Sequence, residues 1–520
     1  MDLMTRCFIP LLFLIHALNP LHADVRLPAI ISDHMVLQRD RPLPIWGEAD
    51  PGERVTVSVT DQTHVAVADD DGQWMIHLDP LPATTAIGNP LAMRIVGRNK
   101  IELRDILVGE VWLCSGQSNM EFRLEKAQGG ATEIQKPGDP HLRLFHVERQ
   151  QSFSPVFSVE GAWQPGQPET VREFSAVAYF FATKLRTGLD VPVGIILSAW
   201  GGTPAEAWTT REVILSNNET RPIVERWDMA TATFDQQVAD WERSIAEWEA
   251  ARAADPNTVS EKPRKPSFGR PDHPHRPSGL FYGMIEPLMP FGIRGVAWYQ
   301  GETNRGRAYQ YRWQLTQLIN DWRSHWGQGD FPFLIVQLPG YGPAQTDASE
   351  PSAWSELRES QLLTFQQVMN TGLAVTIDVG EEDDIHPRDK KTVGYRLALS
   401  VLHDVYGLKV VPNGPLVKDV QVMGSQAVIT FGSVGSGLTT RDDEPLRGFA
   451  VAPADGGFVW AEAEIQQDRV VLRSPEGFEI DAIRYAWADN PDRANLINQE
   501  GLPASPFRTD HRAGLTDQIR

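Results

Sequence analysis

The sequence has little cysteine, no basic run and no long apolar run beyond its N-terminus. Two cysteines, Cys7 and Cys114, occur among 520 residues. Only Cys114 would remain after removal of an N-terminal signal, so no internal disulfide is expected. The formal charge of -20 argues against nucleic acid or an anionic membrane surface as a partner. No later segment reaches the ~20 apolar residues of a transmembrane helix. This composition is typical of a soluble protein that acts on neutral material.

The first 23 residues have the pattern of a cleaved secretory signal. Arg6 supplies a positive charge, and the stretch from Phe8 to Leu18 is apolar apart from His16. The sequence Leu21-His22-Ala23 then places a small residue at the cleavage position. The alternative is an uncleaved core segment. We expect a signal peptide at residues 1–23 and a secreted or periplasmic protein.

Alternating apolar and polar residues predict a β-rich accessory region over residues 24–105. The stretches 55–59, 65–67 and 74–78 each alternate in this way, and turn sequences separate them. We expect a small β-sandwich-like domain, for which a structural role is more typical than carbohydrate contact.

Residues 106–405 alternate between strand-like and helix-like patterns. Apolar runs with the length of buried strands are Ile106 to Leu113, Leu142 to Val147, Val191 to Leu197, Ile293 to Tyr299, Phe331 to Leu338 and Leu373 to Ile377. Helical patterns are Phe174 to Leu185, Tyr309 to Trp326, Glu356 to Met369 and Lys391 to Val405. This alternation predicts an α/β domain with a mostly parallel sheet covered on both faces.

Two further regions differ from this pattern. An insertion at about 216–278 has apolar residues at helical spacing from Phe234 to Trp248, followed by a Pro-rich loop. It predicts a surface helix whose apolar stripe packs against the protein or forms a wall of a sugar subsite. Residues 408–508 are β-rich, and we expect the polar tail from about 509 to fray.

Ser118 lies where the apolar run ending near Leu113 gives way to a turn. In α/β folds, chemistry collects at the carboxyl ends of strands, where a serine hydroxyl enters the crevice. The alternative is a helix N-cap, because Ser118 and Glu121 have the spacing of a capping box. Cys114 is a weaker candidate nucleophile, since it lies inside the apolar run, where a buried packing thiol is more common.

Two other predicted strand ends carry candidate groups for binding an oxyanion. Gly201 and Gly202 follow the strand ending near Leu197, and paired glycines let backbone N–H groups approach a ligand closely. Gln300, Glu302 and Asn304 follow the strand ending at Tyr299. An amide there can donate a hydrogen bond, and Glu302 can orient a histidine. The alternatives are a tight turn and an ordinary polar loop.

His386 is the histidine best placed to act as a general base. It follows the predicted strand ending at Ile377, with Asp383 three and Asp384 two residues before it. A carboxylate fixes the imidazole tautomer and stabilises the imidazolium. The acidic cluster could instead bind Ca²⁺ or be solvated, but its nearly contiguous carboxylates lack EF-hand spacing.

Four motifs in order resemble those of the SGNH hydrolases. They are Gly-Gln-Ser-Asn-Met at 116–120, Trp-Gly-Gly-Thr-Pro at 200–204, Trp-Tyr-Gln-Gly-Glu at 298–302 and Asp-Ile-His-Pro at 384–387. Within that superfamily the chain looks like the sialate O-acetylesterase-like branch, which includes bacterial carbohydrate esterases. Matches at 36–39, 484–487 and 501–507 extend the resemblance over nearly the whole mature chain.

The resemblance implies a flavodoxin-like SGNH domain at 106–405 and serine esterase chemistry on acetylated sugars, with no metal or cofactor. It assigns Ser118 as nucleophile and His386 as general base. The Ser118 N–H and a Gly201 or Gly202 N–H would bind the oxyanion.

Two assignments within the motifs remain open. A side chain from Gln300 or Asn304 would complete the oxyanion site, and Gln300 is favoured because related sequences keep the Gln-Gly-Glu form. Asp383 ranks first as partner of His386, with Glu302 a rival, although Asp384 also matches Asp-Ile-His-Pro.

The sequence indicates the substrate class less directly than it indicates the reaction. Sixteen tryptophans and the acidic charge favour a neutral plant polysaccharide, xyloglucan or xylan, because aromatic platforms bind neutral sugars. A sialic acid ester would suit a basic pocket instead. A different class, a carbohydrate-binding protein with an inactive hydrolase core, would lack the nucleophile or the base.

Overall fold

The computed structural model describes residues 24–84, 90–255 and 261–520, so the predicted signal at 1–23, which includes Cys7, lies outside the described residues. Among the described residues, six strands precede the α/β core: β1 (Val36–Gln38), β2 (Leu43–Glu48), β3 (Arg54–Val59), β4 (Gln62–Val67), β5 (Gln73–Leu78) and β6 (Leu91–Val96). The first strand of the core is β7 (Lys100–Gly116). The next are β8 (Asp139–His146), β9 (Trp163–Gly166), β10 (Val193–Ala199), β11 (Gly295–Tyr299), β12 (Phe333–Val336) and β13 (Thr371–Ala374). The C-terminal strands are β14 (Leu416–Met423), β15 (Gln426–Gly432), β16 (Leu438–Thr440), β17 (Phe449–Ala452), β18 (Val459–Trp460), β19 (Glu462–Gln466), β20 (Arg469–Arg473), β21 (Ala482–Tyr485), β22 (Leu496–Asn498) and β23 (Phe507–Arg508).

The helices are α1 (Ser118–Glu121), α2 (Gly130–Ile134), α3 (Pro168–Arg172), α4 (Ala176–Leu189), α5 (Arg211–Leu215), α6 (Arg221–Ala232), α7 (Phe234–Ala254), α8 (Ala308–Trp326), α9 (Ala353–Gln367) and α10 (Lys390–Asp404). Each of the helical patterns predicted between strands corresponds to one of them, within a few residues at either end. The mixed α/β class and the β-rich flanking regions predicted from the sequence are confirmed.

The central sheet has the order β13-β12-β11-β7-β10-β8-β9. Neighbours from β13 to β8 are parallel, and β9 pairs with β8 in the antiparallel direction. Numbered along the chain, the six parallel strands lie in the order 2-3-1-4-5-6. The flavodoxin-like order is 2-1-3-4-5, and the two differ because β10 inserts between β7 and β8. The chain changes direction across the sheet at β7, where the crevice of an open α/β sheet is expected.

Helices cover both faces of this sheet. Trp112 of β7 packs against Phe181 of α4, with ring centroids 5.3 Å apart. Trp298 of β11 packs against Trp322 of α8 at 5.7 Å. Because Trp298 pairs with Ser115, an odd number of residues from Trp112, the two tryptophans face opposite sides of the sheet. Aromatic side chains therefore fix one helical layer on each face.

The N-terminal β region is continuous with the sheet through β7. Its first residues pair with β6 and its last with β10 and β11, so the predicted division between 105 and 106 falls inside one strand. Strand β4 exists as predicted, but Val65 and Val67 face solvent, with 40% and 60% of their surface exposed. Its alternation therefore does not mark a buried face, because β4 pairs only with β3 at the sheet's margin.

The insertion carries the predicted surface helix as α7. None of its residues is buried, and the stripe from Phe234 to Trp248 is half-buried. Trp241 Nε1 donates to the Pro263 carbonyl at 3.1 Å, and Lys265 lies over the Trp241 ring. The Pro-rich segment beyond the described gap therefore packs on this stripe. No helix in the described part of the chain is long and apolar enough to cross a bilayer.

The C-terminal tail is ordered, contrary to the prediction that it frays. Arg484 forms an ion pair with Asp510 at 2.9 Å. The Glu356 carboxylate accepts hydrogen bonds from the backbone N–H groups of Leu515 and Thr516. Tail polarity predicted solvent exposure, but buried charged partners on α9 and β21 bind these polar groups.

Candidate active site

Ser118 and His386 meet above the carboxyl end of β7. Ser118 Oγ lies 2.9 Å from His386 Nε2, within hydrogen-bond reach of a nucleophile and its base. Ser118 is the first residue of α1, and Gln117 occupies the N-cap position without a side-chain cap. The capping-box alternative is therefore wrong, and the serine hydroxyl is directed to the histidine.

Asp384 is the carboxylate beside His386. Its Oδ1 lies 3.4 Å from His386 Nδ1 and accepts the His386 backbone N–H at 2.8 Å. Asp383 is exposed, and no hydrogen bond or ion pair joins it to His386 among the described residues. One contiguous acidic run thus offers two carboxylates, of which the loop turns Asp384 toward the imidazole.

The other predicted groups surround Ser118 at the ends of β10 and β11, the two neighbours of β7. Gly201, which follows β10, lies so close to Ser118 that a Cβ at position 201 would be 3.2 Å from Ser118 Cβ. Its N–H donates to Glu121 Oε2 at 3.0 Å, and the other Glu121 oxygen accepts from Arg149. Gly202 is exposed, with φ of +78°. Glu121 therefore occupies one of the two glycine N–H groups predicted as oxyanion donors.

The side chains of Gln300 and Asn304 are both buried and both hydrogen-bonded within the protein. Gln300 Nε2 donates to Asn304 Oδ1 at 2.7 Å and to the Thr203 carbonyl at 3.2 Å. Asn304 Nδ2 donates to Glu206 Oε2 at 2.8 Å. These bonds tie the turn after β11 to the turn after β10, and they occupy both N–H groups of the Gln300 amide and one of the Asn304 amide.

Glu302 is buried and binds Asn119 rather than the imidazole. Asn119 Nδ2 donates to Glu302 Oε1 at 2.5 Å. Burial raises the pKa of the Glu302 carboxyl, and the Asn119 hydrogen bond partly opposes that shift. In the part of the chain that the structure describes, no hydrogen bond joins Glu302 to His386.

Sequence reasoning missed four residues of the site: Asn119, Glu121, Arg149 and Lys390. Asn119 belongs to the first motif and Glu121 follows it directly, and this closeness to Ser118 was the available signal. Arg149 and Lys390 carried no signal, because a lone cation in a sequence gives no indication of its partners.

The cleft at Ser118 has a volume of about 480 Å³. Its lining includes Ser118, Glu121, Phe122, Arg123, Lys126, His146, Arg149, Glu173, Leu197 and His386. Cys114 lies outside this lining and is fully buried, and burial raises the pKa of its thiol. Because the thiolate is the reactive form, the alternative of a cysteine nucleophile has no structural support.

Comparison of the chain with known proteins identifies its family. Residues 283–403 match the model of the family described as carbohydrate esterase, sialic acid-specific acetylesterase. The chain is 30% identical over 529 residues to sialate O-acetylesterase of Mus musculus, covering 93% of this chain and 94% of that protein. The chain belongs to the sialate O-acetylesterase family of carbohydrate esterases.

Two further proteins are similar to this chain over most of its length. Identity to the Homo sapiens sialate O-acetylesterase is 26% over 538 residues, covering 95% of this chain and 93% of that one. The crystal structure of a carbohydrate acetylesterase from Xanthomonas citri is 36% identical, with a TM-score of 0.79, and covers 94% of this chain and 100% of that one. Membership of this family confirms the predicted enzyme class, a carboxylic ester hydrolase.

Proposed function

We propose that this protein removes O-acetyl groups from carbohydrates, with Ser118 as nucleophile and His386 as general base. The 2.9 Å approach of Ser118 Oγ to His386 Nε2 carries the proposal. A neutral imidazole at this distance can take the hydroxyl proton as the oxygen attacks. Both groups line one open cleft, so a sugar ester can reach them from solvent.

The proposed reaction has two steps, formation and hydrolysis of an acetyl-enzyme. His386 Nε2 accepts the Ser118 proton while Oγ attacks the acetyl carbonyl. The tetrahedral intermediate collapses, and the sugar oxygen leaves with the proton that His386 returns, giving acetyl-Ser118. His386 then takes a proton from water, which attacks the acetyl carbonyl. Collapse of the second intermediate releases acetic acid, and Ser118 Oγ recovers its proton.

Backbone groups are our proposal for the oxyanion site. In this proposal the Ser118 N–H and the N–H groups of Gly201 and Gly202 donate hydrogen bonds to the oxyanion. Gly201 is available only when its bond to Glu121 is exchanged for one to the oxyanion. We assign Gln300 and Asn304 to holding the turns that present these donors, since Gln300 bonds to Thr203 and Asn304, and Asn304 bonds to Glu206.

We also propose that Asp384, in place of the first-ranked Asp383, orients His386. A carboxylate near Nδ1 favours the tautomer that leaves Nε2 free to accept the serine proton. Asp384 has this position at 3.4 Å. Because both carboxylates are exposed, we expect the contribution to be modest.

A neutral plant polysaccharide such as acetylated xyloglucan or xylan is our first substrate candidate. Two cations of the cleft already have acidic partners: Arg149 bonds to Glu121, and Arg123 lies 3.7 Å from Glu173. A second cavity of about 270 Å³ has Trp227 and Phe268 in its lining. It reaches Pro204 and Thr303, next to the site, and the Phe268 ring, 41% exposed in front of the buried Trp227, supports sugar stacking there.

A sialic acid ester is the second candidate. Lys126 lines the cleft with Arg123 and Arg149, and no ion pair of Lys126 occurs within residues 24–84, 90–255 and 261–520. A sugar carboxylate could bind this lysine. Similarity to the relatives named sialate O-acetylesterase also supports a sialic acid ester as substrate.

Acetate release from both substrate classes, measured side by side, tests these proposals. Purified protein should release acetate from acetylated xyloglucan oligosaccharides, and Phe268→Ala should reduce that rate while leaving hydrolysis of a small acetyl ester unchanged. Release from 9-O-acetyl sialic acid alone, with a loss on Lys126→Gln, would select the second candidate. No release from any acetylated sugar would leave a carbohydrate-binding protein as the remaining function.

We also propose that the segment 1–23 is a signal that directs export of the protein. The protein would act outside the cytoplasm, where acetylated polysaccharide is present. N-terminal sequencing of the exported protein should begin at Asp24. A chain retained in the cytoplasm with Met1 intact would contradict export.

A further inference from the structure

A buried hydrogen-bonded cluster of three residues lies beneath the catalytic pair. Lys390 Nζ donates to Asn119 Oδ1. Asn119 Nδ2 donates both to Glu302 Oε1 at 2.5 Å and to the Ile385 carbonyl at 3.0 Å. All three side chains of the cluster are buried. The Asn119 amide thus has a partner for each of its bonding groups.

This cluster joins the two loops that carry the reacting groups. Asn119 follows Ser118 directly, and Ile385 precedes His386 directly. His386 belongs to the loop after β13, whereas Ser118 follows β7, and strands β12 and β11 lie between them in the sheet. The His386 loop must therefore return across two strands. The Asn119–Ile385 bond, together with the bond from Gln128 N–H to the Arg388 carbonyl at 2.8 Å, holds the returned loop in place.

The charges in the cluster make it costly to maintain. Burial lowers the pKa of Lys390 to about 7, and the Glu302 carboxylate partly opposes that shift. Lys390 Nζ also lies over the Phe122 and Tyr299 rings, at 4.9 and 5.2 Å from their centroids. Buried charges of this kind are weak evidence for stability, since apolar replacements are often as stable. A function in placing the loops explains their presence better.

We propose that Lys390 and Glu302 are positioning residues that act through Asn119 to set the Ser118–His386 distance. The two outer residues clamp the Asn119 amide from opposite ends, so that its remaining N–H points to the Ile385 carbonyl. The proposal rests on the Ser118–His386 chemistry proposed above. It gives Glu302 a role other than the orienting acid of His386.

A series of variants tests the positioning role with kcat, KM and pH–rate profiles on a small acetyl ester. Asn119→Ala should lower kcat ~10- to 100-fold with KM nearly unchanged, because a misplacement of ~1 Å costs about that much. Glu302→Ala should do the same. Glu302→Gln should keep most of the activity, because an amide oxygen still accepts from Asn119. Lys390→Met should fall between these limits.

Matched variants in the C-terminal β region control for lost stability. Asn498 is equally buried, and its amide bonds to the Asn413 carbonyl and the Leu502 N–H. Asn498→Ala should lower the melting temperature without a specific loss of kcat in the folded fraction. Asp510→Asn, which neutralises a buried carboxylate paired with Arg484, serves the same purpose for Glu302→Gln.

The outcomes separate the positioning role from the underlying chemistry. The proposal would be overturned if Asn119→Ala kept kcat within about twofold of wild type. It would also be overturned if Glu302→Gln were as inactive as Glu302→Ala, which is the result expected if Glu302 oriented His386. If Asn119→Ala does not fold, the Glu302 pair still decides. Full activity in Ser118→Ala would instead refute the proposed function itself.

Discussion

Glu121 Oε2 accepts the Gly201 N–H at 3.0 Å, at a position proposed for the oxyanion. A carboxylate there competes with the oxyanion for the donor, and its charge repels the developing negative charge. We therefore expect the Glu121–Arg149 pair to influence the reaction.

Glu121→Gln should raise kcat on a small acetyl ester by about threefold to tenfold. An amide oxygen binds the Gly201 N–H less strongly than a carboxylate does, because charge-assisted hydrogen bonds are roughly twice as strong. Glu173→Gln is the control, since Glu173 lines the same cleft without a bond to Gly201, and it should stay within about twofold. A tenfold loss in Glu121→Gln would mean that the carboxylate binds substrate.

Gly201→Ala should lower kcat/KM by ~10-fold or more. Its Cβ would lie 3.1 Å from Glu121 Oε2 and 3.2 Å from Ser118 Cβ, so the serine or the loop must shift. Gly306→Ala is the matched control, because a Cβ at Gly306 meets nothing within 4 Å. Steady-state kinetics on the two variants makes the comparison, and equal activity would contradict the close approach of Gly201 to Ser118.

Asp384→Asn should reduce kcat more than Asp383→Asn. Asp384 Oδ1 lies 3.4 Å from His386 Nδ1, and an amide would not stabilise the imidazolium in the same way. We expect a loss of ~10-fold for Asp384→Asn and of less than ~2-fold for Asp383→Asn. The reverse order, measured at one pH with saturating ester, would restore Asp383 as the partner.

The stability of the protein should depend on pH through Lys390. Burial lowers its pKa to about 7 in the folded state, against ~10.4 for an unperturbed lysine. Between these values the unfolded chain holds a proton that the folded chain lacks, so the free energy of unfolding rises with pH by up to ~1.4 kcal/mol per unit.

Urea unfolding of wild type and Lys390→Met at pH 7.5 and 9 measures this contribution. The wild-type free energy of unfolding should increase relative to the variant by ~1–2 kcal/mol between the two pH values. A difference that stays constant would show that Lys390 keeps its proton on folding.

Much of the site could be predicted because strand ends converge. Ser118, Gly201 and Gln300 each follow an apolar run, and the three runs became neighbouring parallel strands, so these residues had to meet at one edge. His386 was identified by its motif and its adjacent carboxylates, although its loop has to return across two strands.

The details that sequence could not decide depend on partners distant in the chain. The resemblance favours Gln300 over Asn304 as a donor, but the sequence does not show that their amide groups bond to Thr203 and Glu206. Asp383 and Asp384 differ only in how their loop turns. Continuation of β7 past residue 105 likewise depends on its pairing with β6, which periodicity does not reveal.

The most direct test of the account is acetate release by the purified protein from an acetylated sugar, with Ser118→Ala and His386→Ala alongside. Ser118 and His386 line an open cleft, so both variants should fold with a melting temperature near that of wild type. We predict that each lowers turnover by ~10³-fold or more. Wild-type rates in either folded variant would contradict the account.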